Sequence, residues 1–180
     1  SLPADNAVPL VQTVLYDEHL PVRSLAIYTL GENPTAACYN LLLSLLEQDE
    51  DYAARADAAA ALGALQDLRA FEPLVRAFFE DTSWLVQFSA VVSLGNLKDP
   101  RANVILRQAL KSSEAVIQIA AISALGEIGD VESVSLLLVF VQSEDWLIRQ
   151  RLSEALGNLP TPKSLAALKY LQKDPHPHVA

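Results

Sequence analysis

The chain has 180 residues, with 13 Lys+Arg against 22 Asp+Glu and a formal net charge of −9, which argues against a nucleic-acid binder, whose footprint is basic. With 51% hydrophobic and 19% charged residues, it is too apolar to be disordered. The longest charge-free stretch, Thr82 to Leu97, holds Ser, Gln, Asn and Gly and does not read as a membrane span. The opening residues lack the basic start and apolar run of a signal peptide. One cysteine, Cys38, rules out an internal disulfide or a multi-thiolate metal site, and His19, His176 and His178 are the only histidines. Composition leans away from catalysis and fits a reducing, cytoplasmic setting.

In chain order, paired apolar positions four apart mark a first kind of helix. They are Leu10/Val11 with Val14/Leu15, Leu41/Leu42 with Leu45/Leu46, Leu74/Val75 with Phe78/Phe79, and Leu136/Leu137 with Phe140/Val141. Between these lies a second kind, which ends each time on Leu-Gly: Leu30-Gly31, Leu62-Gly63, Leu94-Gly95, Leu125-Gly126 and Leu156-Gly157. The even recurrence of these glycines, with a period just over thirty, signals a solenoid. Four residues before each Leu stands Ala26, Ala58, Ala90, Ala121 or Leu152, and eight before it Val22, Ala54, Val86, Ile117 or Ile148. The pattern Val86, Ser89, Ala90, Ser93, Leu94 is a helical stripe.

Fourteen residues before each glycine comes Asp17, Asp49, Asp81, Ser112 or Ser143, suited to an N-cap or turn. The closing glycines suit a left-handed C′ position. No stretch alternates like a strand. The reading is all-α: a solenoid of about five helix pairs over residues 1–180, then a lone helix at about Lys163 to Gln172. Asp174 and Val179 repeat the turn columns, so a longer array is expected, with neither end shaped as a polar cap.

The unit Ala90-Val-Val-Ser-Leu94-Gly95-Asn-Leu97-Lys-Asp99 resembles the phycobilisome-lyase-type HEAT-like repeat family over nearly the whole chain. The stretch Thr82 to Gly95 is most similar to the members that act in phycobilisome degradation. The resemblance implies second helices lining a concave groove. It also covers iron-dependent hydroxylases with His-Glu pairs on successive repeats, but here His19 precedes Leu20, His176 precedes Pro177 and His178 precedes Val179. The di-iron reading fails, and no metal is expected.

With that orientation, Phe88, Val91, Val92, Ile119 and Ile122 form an apolar stripe off the core columns, either a partly exposed partner-binding patch or core buried by tight stacking. Tyr28 also faces the groove. Trp84 and Trp146, with Tyr52, make an aromatic column that either anchors a partner or staples the turn to the next repeat. Arg55 and Arg149, with Arg23, either grip carboxylates such as tetrapyrrole propionates or pair with the Asp column. Cys38 reads as a buried thiol against a bilin-attaching one, His176 and His178 as surface or terminal residues, and the acidic Glu47–Asp51 run as a solvated turn.

The expected function is a non-enzymatic adaptor whose groove binds a protein partner. The resemblance makes that partner a phycobiliprotein, or makes the ligand a bilin, in phycobilisome turnover, at the cytosolic face of the thylakoid. No cofactor, nucleic acid or membrane insertion is expected. The alternatives are a bilin lyase-like enzyme subunit and a generic protein–protein scaffold. Acid–base chemistry on a bilin would fall to Tyr28, Glu154 or Cys38, which nothing places together.

Overall fold

Short polar side chains set where these helices begin. Thr35 accepts from the Cys38 N–H at 3.1 Å, Asp51 from Ala53, Asp145 from Leu147 and Thr161 from Ser164, each satisfying an orphan donor of a first turn. Pro162 at the first position of its helix supplies a φ already set for helix. The computed structural model describes Pro9 and residues 11–179. Leu10, one of the predicted apolar pair, and Ala180 lie outside the described residues.

Residues 11–14 are helical. The helices that follow are α1 (Leu20–Gly31), α2 (Ala36–Gln48), α3 (Tyr52–Ala64), α4 (Phe71–Glu80) and α5 (Trp84–Asn96). Then come α6 (Ala102–Ala109), α7 (Ala115–Ile128), α8 (Val134–Leu137), α9 (Trp146–Gly157) and α10 (Pro162–Leu171). A 3-10 segment, Leu138–Gln142, continues α8. No strand occurs among the described residues, and the all-α, paired-helix expectation holds, with α10 as the lone final helix.

The chain divides into two compact units, Ser1–Leu97 and Lys98–Ala180. In the first, α3 packs against α1, α2 and α5, and α4 against α5. Its core is made by Leu30, Leu42, Ala54, Ala58, Leu62, Leu74, Val86, Ala90 and Leu94, all essentially closed to solvent. In the second, α7 packs on α6 and α9, and α9 on α10, around Leu106, Ile117, Ala121, Leu125, Leu137 and Leu152. Each large aliphatic side chain buried this way contributes about 1.5–3 kcal/mol. The column of Ala54, Val86, Ile117 and Ile148 is buried as the stripe requires, while Val22 remains exposed.

The repeating glycines do a different job from the one the sequence suggests. Gly31, Gly63, Gly126 and Gly157 lie within the bounds of α1, α3, α7 and α9, and Gly95 within α5. None of them has a positive φ; the left-handed residues are Gln66, Lys98 and Gly129, three positions beyond the second, third and fourth column glycines. Proximity explains Gly31, Gly63 and Gly126 instead. A β-carbon on Gly31 would lie 2.9 Å from Ala61 Cβ, on Gly63 2.4 Å from Ser93 Oγ, and on Gly126 2.7 Å from Ala155 Cα. At these three positions the missing side chain lets the facing second helix of the same unit approach to backbone distance. After α1 and α9 no left-handed residue follows; there Pro34 and Pro160 come three residues beyond Gly31 and Gly157, and a proline disfavours helical backbone at the residue before it.

Candidate functional site

Each Asp or Ser of the turn column accepts a hydrogen bond from the N–H two residues on. Asp17 serves His19, Asp49 serves Asp51, Asp81 serves Ser83, Ser112 serves Glu114, Ser143 serves Asp145 and Asp174 serves His176. These local bonds shape the turn that launches a second helix. The carboxylates then take a second partner. Arg55 Nε donates to Asp81 Oδ2 at 2.7 Å and Nη2 to Oδ1 at 3.1 Å, and Arg149 repeats the fork on Asp174 at 2.7 and 3.0 Å. Arg23 pairs with Asp49. Nη1 of Arg55 and of Arg149 also donates to carbonyls of its own turn, Asp49 O and Ser143 O.

Arginine and aspartate change together along the chain. Where the second helix carries Arg23, Arg55 or Arg149, the next turn residue is Asp49, Asp81 or Asp174; where it carries Gln87 or Gln118, the next is Ser112 or Ser143. The glutamines keep the own-turn bond, Gln87 to Asp81 O and Gln118 to Ser112 O, both at 2.8 Å. A residue recruited to hold a ligand would have no reason to vary in step with a turn residue one repeat on. Arg55 and Arg149 therefore form a structural ladder, with 18% and 13% of their side-chain surface exposed, and are not a free polar rim for a ligand. Beside Arg149 the Asp174 carboxyl is held below the usual carboxylate range by the guanidinium's hydrogen bonds. For Asp81, burial pushes upward but the Arg55 and Ser83 hydrogen bonds prevail, so its pKa is also lowered.

The open space lies elsewhere. In the first unit, a cavity of about 620 Å³ is bounded by α1 and α3 and by the turns that follow them. It exists because α3 is rich in alanine: Gly31 against Ala61 draws the two helices together, while Ala60 and Ala64 leave room beside the contact. Ser24 donates its hydroxyl to Asp57 Oδ2 at 2.5 Å across the two helices. Tyr28, with 62% of its surface exposed, stands at the rim with Glu32. The tyrosine's pKa is raised, first by its hydrogen bond to the Glu32 carboxylate and then by that charge.

The other sequence-nominated residues fall in several environments. Val91 and Ile122 have no solvent exposure, so they are core rather than groove surface. Phe88, Val92 and Ile119 are half-buried. The three residues of α5 belong to the first unit and the two isoleucines of α7 to the second. Trp84, at the start of α5, is 50% exposed, while Trp146 stacks on the His176 ring at a centroid distance of 4.0 Å. Cys38 is buried, out of reach of a chromophore. Asp57 and Glu32 were not singled out by the sequence. The available signal was a carboxylate in a stripe column that otherwise holds Leu25, Ser89, Ala120 and Arg151.

The model for HEAT repeats matches residues 39–115 and 104–180, and the chain belongs to that family. No curated protein matches the sequence. Among solved structures, the complex of CpcE and CpcF of phycocyanin lyase from Nostoc sp. PCC7120 is similar over 98% of this chain and 72% of that one, with a TM-score of 0.73 and 23% identity. An engineered protein is similar over 97% and 92%, with a TM-score of 0.68 and 20% identity. Human deoxyhypusine hydroxylase in complex with glycerol is similar over 96% and 80%, with a TM-score of 0.51 and 19% identity. At such identities the likeness describes the fold. Among the described residues no group of His, Cys, Asp and Glu could hold a metal ion, and no helix is long and apolar enough to cross a membrane.

Proposed function

We propose that the chain is a non-enzymatic adaptor that binds a protein partner along its second helices, with a phycobiliprotein as that partner and phycobilisome turnover as the setting. The observation that carries the reading is the open cavity between α1 and α3, with Tyr28 standing exposed at its rim. Exposed aromatic side chains beside concave apolar surface are the usual anchors of a protein interface. Trp84 is a second exposed ring in the same unit. The repeat resemblance and the similarity of fold to the phycocyanin lyase complex support the choice of partner.

Binding is favoured over catalysis by the state of the reactive groups. Arg23, Arg55 and Arg149 are each held by the aspartate of the next turn and the one thiol is buried, which leaves Tyr28 and Glu32 as exposed polar groups of the cavity, the tyrosine with a raised pKa. The test is gel filtration of the purified chain with phycocyanin, followed by its visible absorbance, and a parallel run with free bilin. Co-elution with phycocyanin and an unchanged chromophore spectrum is the expected result. Transfer or release of the bilin would establish a lyase-like activity instead, and passage of both proteins as separate peaks would overturn the proposal.

A further inference from the structure

The cavity between α1 and α3 has a chemical bias that the repeat architecture does not require. Asp57 and Glu32 both line it, and no Lys or Arg does. Neither carboxylate takes part in any of the ion pairs among the described residues. The cations nearest along α1 and α3, Arg23 and Arg55, are held by Asp49 and Asp81 and so are committed elsewhere. Asp57 is set in place by the Ser24 hydroxyl, a neutral donor that orients a carboxylate and leaves its charge uncompensated.

We propose that this cavity receives the guanidinium of an arginine projecting from the partner protein, with Asp57 and Glu32 supplying the charge and Tyr28 the aromatic face. The proposal rests on the reading of the chain as a protein-binding module and names the chemistry that module selects. Charge complementarity identifies the occupant: two uncompensated carboxylates on a chain of net charge −9 attract a cation and repel an anion. Arginine is preferred to lysine because a planar guanidinium can lie on an exposed tyrosine ring while its fork meets carboxylate oxygens, whereas an ammonium is a strongly hydrated point charge. The alanine floor, Ala60, Ala61 and Ala64, offers apolar surface to the methylene stem of the same side chain.

The test is a titration of the isotope-labelled chain with Nα-acetyl-arginine methylamide, followed through the amide signals of Ser24–Glu32 and Asp57–Leu65. The neutral citrulline counterpart and spermidine are run in parallel. Saturable shifts confined to those segments are expected with the arginine probe, none with citrulline, and roughly tenfold weaker binding in Asp57→Asn. Glu32→Gln, on an exposed side chain whose amide can still accept from the Tyr28 hydroxyl, should weaken binding as well and guards against a folding defect in the first variant. Equal binding of citrulline, equal or tighter binding of spermidine, retained affinity in both variants, or no saturable shift would each overturn the assignment. The titration contains no phycobiliprotein, so an arginine site without phycocyanin binding removes only the proposed partner. Phycocyanin binding without an arginine site removes only this inference.

Discussion

Gly63 lies so close to Ser93 that a β-carbon on the glycine would come within 2.4 Å of Ser93 Oγ and 2.9 Å of its Cα. Ser93 is itself fixed, buried and donating to Ala59 O at 2.9 Å, so it cannot rotate away without losing that bond. Gly63→Ala is expected to force α3 and α5 apart and to destabilise the chain by about 2–3 kcal/mol. Gly157 has nothing within 4 Å of its would-be β-carbon and ends α9, so Gly157→Ala should stabilise by up to about 1 kcal/mol. Urea unfolding of the two variants checks the pair; equal effects would mean that close approach does not explain the glycine column.

Gly129 separates space from backbone strain. Its surroundings are also open, but its φ is +81°, where a side chain meets the neighbouring carbonyl. Gly129→Ala should therefore cost about 1 kcal/mol despite the empty space around it. The opposite signs expected at Gly129 and Gly157 can be read from melting temperatures alone.

The repeat period is carried by local chemistry, the Leu-Gly pairs and the turn aspartates, and for that reason the helix pairs and the final helix at Pro162–Leu171 were legible in advance. What the glycines are for was not. A glycine near a helix end looks the same whether it frees φ or admits a neighbour, and the neighbour lies a whole repeat away, as Ser93 does from Gly63. Periodicity also left Val91 and Ile122 open between groove surface and core, because a position outside the stripe is exposed only if no further helix covers it; both are core. Asp57 was hidden for the converse reason: it occupies a stripe column, where spacing alone says core, and only the alanine-lined opening beside it leaves the carboxylate within reach of solvent. The arginine–aspartate ladder lay in between: two columns are visible in the sequence, but only the forked hydrogen bonds of Arg55 and Arg149 join them.

Arg55 tests that ladder. Its guanidinium makes two bonds to Asp81 and two to turn carbonyls, so Arg55→Ala leaves the Asp81 carboxylate with the Ser83 N–H but without its cation, removes the guanidinium from two carbonyls, and is expected to cost about 2 kcal/mol. Arg55→Gln should recover part of this, because Gln87 makes the own-turn bond in the next repeat. The pH dependence follows from the lowered pKa of Asp81 and Asp174. A carboxyl with a native pKa below its unfolded value binds fewer protons folded than unfolded, so its stabilisation is complete above the unfolded pKa of about 4 and is lost as the pH falls through the native value. Urea midpoints should therefore drop between pH 5 and pH 2.5, and by less in Arg55→Ala than in the parent chain. An equal acid response in both would show that the Asp81 pair contributes nothing to it.

Phe88 and Val91 sit three residues apart on α5, one half-buried and the other without solvent exposure, and their substitution separates packing from a binding surface. Val91→Asp places a carboxylate in an apolar interior, where the unpaired charge costs several kcal/mol and is relieved only by unfolding or by protonation. That variant should lose its cooperative transition at 37 °C, and no conclusion about a partner can be drawn from its failure to bind one. Phe88→Asp leaves the new carboxylate access to water, so its cost is the lost burial of part of one ring, about 1–2 kcal/mol. Circular dichroism melts should show a folded Phe88→Asp chain, and the same preparation run with phycocyanin on gel filtration then reads the surface directly. Loss of co-elution with a retained melt assigns Phe88 to the partner surface. A Phe88→Asp chain that unfolds like Val91→Asp would put the ring in the core and confine the candidate site to the cavity between α1 and α3.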